Sequence, residues 1–251
     1  MSPLRLGHSR TLPARGVACG RGIADGDRVV AGWGSHLERR ARASRRSAPG
    51  VLLHPRDMVL LGWLAEQYAA RTDQLEVLLG CGPRSVQRIL ARLRDAGLVS
   101  TYRVLVGEPA WVTPTRAGLR ACGSQYRVWQ PKLGVLLHTA AVNDVRLHIQ
   151  ARSPEAEWVS ERALARDRRE GEHLPDGVVV TEGQRVAVEV ELTVKSERRV
   201  NVILDELAGR FDMVLYYCPP ATYRQLSALK ESGRWPTLGV RELPARGALG
   251  E

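Results

Sequence analysis

The stretch Arg185-Val186-Ala187-Val188-Glu189-Val190-Glu191-Leu192-Thr193-Val194-Lys195 carries the most informative pattern in the chain. Side chains of an extended strand alternate between two faces. A strand from Arg185 to Val194 therefore groups Val186, Val188, Val190, Leu192 and Val194 on one side and Glu189, Glu191, Thr193 and Lys195 on the other. The apolar row specifies the register, because a slip of one residue would carry all of it to the wrong face. Carboxylates in a strand otherwise suited to burial are costly unless paired, hydrogen bonded or metal bound. Just upstream, His173-Leu174-Pro175-Asp176-Gly177 sets an acid at the start of the preceding strand, one short hairpin away. Asp176 and Glu189 are thus expected to approach each other.

An Asp and one or two Glu on neighbouring strands, with a Lys at hand, are the side chains that metal-dependent phosphodiester hydrolysis requires. Hard carboxylate oxygens hold Mg²⁺ or Mn²⁺, and an ammonium orients water or offsets developing charge. Asp176, Glu189 and Glu191 are the candidate metal ligands, with Lys195 and His173 completing the candidate catalytic set. The same pattern also suits a solvated sheet face bearing a Glu–Lys pair. His173 fits either a proton carrier or phosphate contact, or a structural residue at a strand entrance. On a continuous strand Lys195 would stand roughly 13 Å beyond Glu191.

Upstream of this region the periodicity is helical. Met58, Leu61, Leu64, Ala65 and Tyr68 share one face of a helix over about 56–70. Thr72 is a candidate N-cap for a short helix with Leu75, Leu78 and Leu79, stopped by Gly80. Pro83 suits the first position of a third helix, which Gly97 closes. Alternating runs over 99–106 and 110–112, joined by Gly107-Glu108-Pro109, predict a hairpin. Three short helices and a hairpin form a winged helix. In the third helix Val86, Ile89, Leu90 and Leu93 make the inward stripe, leaving Arg84, Gln87, Arg88 and Arg92 for DNA, with Arg103 in the hairpin.

The formal net charge of +10 is unevenly distributed. Residues 1–50 hold ten Arg against three acids, 51–125 nine against six, and 126–251 eighteen basic against eighteen acidic residues. The excess lies in the first half, but 34 of the 37 basic residues are Arg, a bias that a GC-rich genome also produces. Residues 1–50 show no apolar period and are read as a basic, disordered arm. Apolar runs fall far short of the roughly 20 residues of a membrane span. Four scattered cysteines without a CxxC pair point to neither a zinc site nor a disulfide framework. A cytoplasmic protein without membrane attachment is expected.

Beyond the hairpin, helices are predicted over 115–122 and 136–151, and then strands and helices in the order α-β-β-β-α-β-α-β. Asn143 and Asp144, on the second of these helices, either extend the carboxylate site or bridge helices. Pro175-Asp176, Glu189-Val190-Glu191 and Lys195-Ser196 in this order resemble the PD-(D/E)xK nuclease superfamily. Together with the winged helix and His138…Val142-Asn143-Asp144-Val145, the pattern resembles the bacterial replication-relaxation family over about residues 52–220.

The resemblance implies an α+β chain: an arm (1–50), a winged helix-turn-helix domain (51–125), and a restriction-endonuclease-like α/β domain with a mixed sheet (126–251). It further implies a role in replication of a plasmid or other mobile element, with double-stranded DNA as partner and a homodimer as one possible assembly. Two functions follow: a metal-dependent endonuclease or nicking protein, or a non-catalytic DNA-binding replication or transcription factor that retains a nuclease fold. Because residues 1–50 lack core-forming spacing, a chain starting at Val51 is expected to keep the melting temperature of the full chain. A large drop on thermal denaturation would show that the arm is packed.

Overall fold

The computed structural model describes residues 52–129 and 132–245; the arm read over 1–50 lies outside them. The chain begins with helix α1 (Pro55–Gln67), strand β1 (Ala70–Arg71), helices α2 (Thr72–Leu79) and α3 (Pro83–Asp95), and strands β2 (Val99–Tyr102) and β3 (Trp111–Pro114). Leu60, Leu61, Trp63 and Leu64 of α1 pack on Leu75, Leu78 and Leu79 of α2 and on Val86, Leu90 and Leu93 of α3. The periods read for α2 and α3 mark buried residues, whereas α1 is buried beyond its expected stripe: Val59, Leu60 and Trp63 are buried along with Leu61, Leu64 and Ala65, and Met58 and Tyr68 are only half-buried.

Several details depart from expectation, among them the end of β2 at Tyr102, short of the run read over 99–106. Helix α1 stops at Gln67, with Tyr68 following at φ 69°, and Ala70–Arg71 pairs with Trp111–Val112 as the third strand of a small antiparallel sheet. Two residues are too few to show alternation. Arg71, not Thr72, is the N-cap of α2, and its main-chain N–H donates to the Gln74 side chain at 3.0 Å.

Helices α4 (Arg116–Ala121) and α5 (Leu133–Arg152) lead to a five-stranded sheet. Its elements are β4 (Glu157–Ser160), α6 (Glu161–Leu164), β5 (Gly177–Thr181), β6 (Gln184–Val190), α7 (Glu197–Ala208), β7 (Met213–Cys218), α8 (Pro220–Glu231) and β8 (Leu238–Glu242). The strands lie in sequence order, β4-β5-β6 antiparallel and β6-β7-β8 parallel. The fold is α+β with a mixed sheet. The short helix α6, capped by Ser160 Oγ, lies between the first two strands of the sheet, where the expected order has no helix.

Both faces of the sheet are buried, which explains its valine content. On one face Val178, Ala187, Val214 and Tyr216 pack against Val200, Ile203, Leu204 and Leu207 of α7 and Leu226 of α8. On the other, Trp158, Val179, Val188, Val190 and Tyr217 pack against Val142 and Val145 of α5. The apolar row of β6 thus faces α5; the strand ends at Val190, Leu192 still packs against the same cluster, and Val194 is exposed.

Helix α5 also carries polar residues inward. Asn143 is fully buried and donates from Nδ2 to the Ala69 carbonyl at 2.8 Å. Gln74 Nε2 donates to the Ala140 carbonyl (2.8 Å) and to Asp144 (2.7 Å), and Arg71 pairs with Asp144 at 3.3 Å. Asn143 and Asp144 therefore bridge α5 to β1 and α2. Arg146, buried, pairs with Glu66 of α1 at 3.0 Å and lies 4.0 Å above the Trp63 ring. Removing one partner of a buried pair strands the other charge and costs about 3 to 5 kcal/mol, whereas replacing both by apolar groups is far milder. Urea denaturation should show Arg146→Met destabilised by about that amount and Arg146→Met/Glu66→Leu recovering much of it. A single-variant loss within about 0.5 kcal/mol would mark the pair as a surface-like interaction.

Candidate active site

The register Gly177↔Val188 places Asp176 one step beyond the end of β5, opposite Glu189. Both belong to the sheet face covered by α7, since Ala187 and Tyr216, which flank Glu189 on that face, pack there. A glycine after Asp176 is required by packing. A Cβ on Gly177 would run into the Trp158 indole, which covers the β5 entrance from the opposite face.

Each acid has a defined partner. Asp176 Oδ2 accepts the Val190 main-chain N–H at 2.7 Å, and Oδ1 lies 2.7 Å from His138 Nε2. Glu189 Oε1 lies 2.8 Å from His173 Nε2. His173 is itself held by α7 and the turn after it: its N–H donates to Glu206 at 2.6 Å and its carbonyl accepts from Arg210 at 2.8 Å. Glu191, just past the end of β6, pairs with Lys195. The lysine is thus not 13 Å away as a straight strand would put it. The chain leaves the sheet after Val190, and the turn towards Ser196, the N-cap of α7, brings the ammonium back onto Glu191.

His138 belongs to the family pattern but not to the candidate site read from sequence, because its place on a helix far upstream gives no spacing cue. Helix α5 delivers it to Asp176. Glu161, at the start of α6, is a further member that the sequence pattern does not single out; it accepts a hydrogen bond from the Tyr68 hydroxyl and faces Asp176 and His138. Its only sequence cue is the Ser160 cap before it.

Burial and like charge dominate the electrostatics. Burial pushes the Glu189 carboxyl up to about 7; the hydrogen bond from His173 opposes this and the neighbouring Asp176 adds to it. Glu161 is raised by burial and then by Asp176. The carboxylate partners raise both imidazoles, His138 through Asp176 and His173 through Glu189, against the lowering effect of burial. The arrangement can hold protons among its carboxylates and imidazoles near neutral pH.

The polar residues of α3 expected to meet DNA divide into two groups. Arg84, Gln87 and Arg88 are exposed. Arg92 turns back to the buried Asp57 at 2.5 Å, and Asp57 also accepts the His54 N–H at 2.7 Å. Arg92 therefore ties α3 to the start of α1. Arg103 is exposed and donates to the Glu108 carbonyl at 3.3 Å across the β2–β3 loop.

Glu189, His138 and His173 all bind protons more tightly folded than unfolded. Each stabilises the fold fully below its unfolded pKa, and that contribution is lost as pH rises through the folded value. For Glu189 the window runs from 4.5 to about 7, and for the imidazoles it begins at 6.5 and extends upward. Glu189→Gln, which mimics the protonated acid, should flatten the fall in melting temperature between about pH 4.5 and 7 relative to wild type. Parallel curves for the two proteins would show that Glu189 titrates like an ordinary surface carboxylate.

No curated protein matches the chain. The family model described as replication-relaxation matches residues 61–208, more than half of the chain, from α1 to the end of α7. The match spans both the α5 seam and the Asp176–Glu189 pair, and the chain belongs to the replication-relaxation family.

Proposed function

We propose that this is a DNA-binding protein of plasmid or mobile-element replication, in which α1 to β3 act as a winged helix and the Asp176–Glu189 site hydrolyses a phosphodiester. The two parts correspond to domains 51–125 and 126–251. Family membership supports the replication role. The observation that carries the chemistry is the pairing of Asp176 with Glu189 on one sheet face, with one of them buried too deeply to keep its charge readily at neutral pH. Two adjacent carboxylates in that state suit a hard divalent cation such as Mg²⁺ or Mn²⁺, with Asp176 and Glu189 as the holding residues. Such an ion, when bound, polarises the scissile phosphate and acidifies a water.

The chain's own groups do the rest. Val190 N–H and His138 fix the Asp176 carboxylate, and His173 fixes Glu189. Lys195 neutralises Glu191 and brings an ammonium to the edge of the site. The exposed Arg84, Gln87 and Arg88 on α3 would meet the duplex, with Arg103 at the hairpin. Arg92 acts indirectly, by orienting α3 through Asp57.

A second reading has its own support. Among the described residues no three His, Cys, Asp or Glu side chains are gathered to hold a metal, and Asp176, Glu189 and Glu191 each already have a cationic or imidazole partner. This pattern suits a non-catalytic DNA-binding factor in which the histidines and Lys195 satisfy the carboxylates.

Incubation with supercoiled plasmid and Mg²⁺ or Mn²⁺ should yield nicked or linear DNA, with none in EDTA and none from Asp176→Asn or Glu189→Gln. A divalent ion at a hundredfold excess over Kd should stabilise the folded wild type by about 2.7 kcal/mol, and the two variants should forfeit that gain. Metal stabilisation without cleavage on any plasmid would favour the non-catalytic reading, and metal responses identical in wild type and variants would remove these acids as ligands. Separately, Arg84→Ala/Arg88→Ala should weaken DNA binding and lower the log–log salt slope by about 0.9 for each phosphate that the variant no longer neutralises. An unchanged slope with the fold intact would make α3 a protein-binding surface.

A further inference from the structure

We propose that the loop joining β2 to β3 is an apolar wedge, with Leu105 and Val106 entering the minor groove of duplex DNA and partly unstacking a base step. The proposal rests on the DNA-binding reading of α3 and adds to it a mode of engagement that distorts the duplex. Leu105 and Val106 are consecutive, and they are 62% and 103% exposed. Placing two large branched side chains in water at a loop tip has no benefit for the isolated fold.

The tip is held in position. Val104, next to it, packs against the cluster of Ala69, Trp111, Leu136 and Ala140. Tyr102 is the last residue of β2 and pairs with Trp111. The two limbs are joined by the Arg103 guanidinium donating to the Glu108 carbonyl at 3.3 Å, and Gly107 turns the chain at φ 84°. The loop thus presents its apolar residues from a closed, anchored base.

The surroundings favour a nucleic acid over a protein groove. Strand β2 packs against α3, whose Arg84 and Arg88 are exposed, and Arg103 stands at the foot of the tip. A groove floored by stacked bases and walled by phosphates matches an apolar tip with a guanidinium at its foot, and side chains such as Leu that enter a base step from the minor groove kink and untwist the duplex. Attraction to phosphate comes from the exposed arginines, while the tip adds apolar burial. The two contributions can be separated by their salt dependence.

The test uses the full chain and relaxed, closed circular plasmid treated with a metal-independent topoisomerase in EDTA, which prevents metal-dependent cutting. Wild type should bind and shift the linking-number distribution. L105S/V106S should keep the wild-type melting temperature, bind about tenfold more weakly at an unchanged salt slope, and leave the linking number unshifted. The wedge is overturned if wild type binds without shifting the distribution, if the variant shifts it equally, or if wild type sediments as a dimer and the variant as a monomer, which would assign the tip to an interface between copies. If wild type fails to bind plasmid at all, the DNA-binding reading itself fails and takes the wedge with it.

Discussion

The Arg146 guanidinium, 3.0 Å from Glu66 and 4.0 Å from the centre of the Trp63 ring, joins the two halves of the molecule at a point closed to water. A charge taken so deep is expensive unless every neighbour is placed to receive it, so its partners on α1 must sit at one distance and angle from α5. Asn143 and Asp144 extend the same constraint to β1 and α2. Apolar packing alone tolerates sliding, because dispersion and the hydrophobic effect have little directionality. A row of directional polar contacts does not. Helix α5 is consequently a rigid strut between the small antiparallel sheet and the mixed sheet, and anything it carries is positioned relative to both.

What it carries near its N-terminal end is His138. The imidazole reaches Asp176 only because the buried residues further along the helix settle its rotation and its advance along its axis. A second tie between the halves runs nearby. Arg162 of α6 donates to the Ala65 carbonyl at 2.9 Å and stacks over Tyr68, while the neighbouring Glu161 accepts from the Tyr68 hydroxyl and faces Asp176. The end of α1 is therefore tied to α6, and Glu161 brings its charge close to Asp176 and His138. Tyr68 adopts φ 69° there, a conformation uncommon for a bulky residue and held by its surroundings.

Within the site, like charges are set side by side where water is scarce. The fold meets that cost with imidazoles against Asp176 and Glu189 and an ammonium against Glu191, so the cluster is electrically matched by its own side chains. Such matching allows folding before any ligand arrives. It also means that a cation or a phosphate entering the site must compete with groups already there, and Glu189, raised to about 7, is the member with most to gain from a stronger counter-charge.

How much of this is legible in the sequence differs element by element. The helical stripes of α2 and α3, the valine row of β6 and the facing of Asp176 and Glu189 follow from sequence, because period and register depend only on local backbone geometry and on which side chains avoid water. Family membership is legible for a related reason: its motifs lie in order along the chain. The end of β6 at Val190, the return of Lys195 to Glu191, the capture of Arg92 by Asp57 and the arrival of His138 and Glu161 at Asp176 are not. Each brings together residues from separate elements or at a break in an element, where no local period operates. A polar side chain at such a place reads the same on paper whether it meets water or a buried partner. The tertiary structure decided between these outcomes, because a buried charge must find its counterpart and only the packed helices and sheet determine which one is within reach.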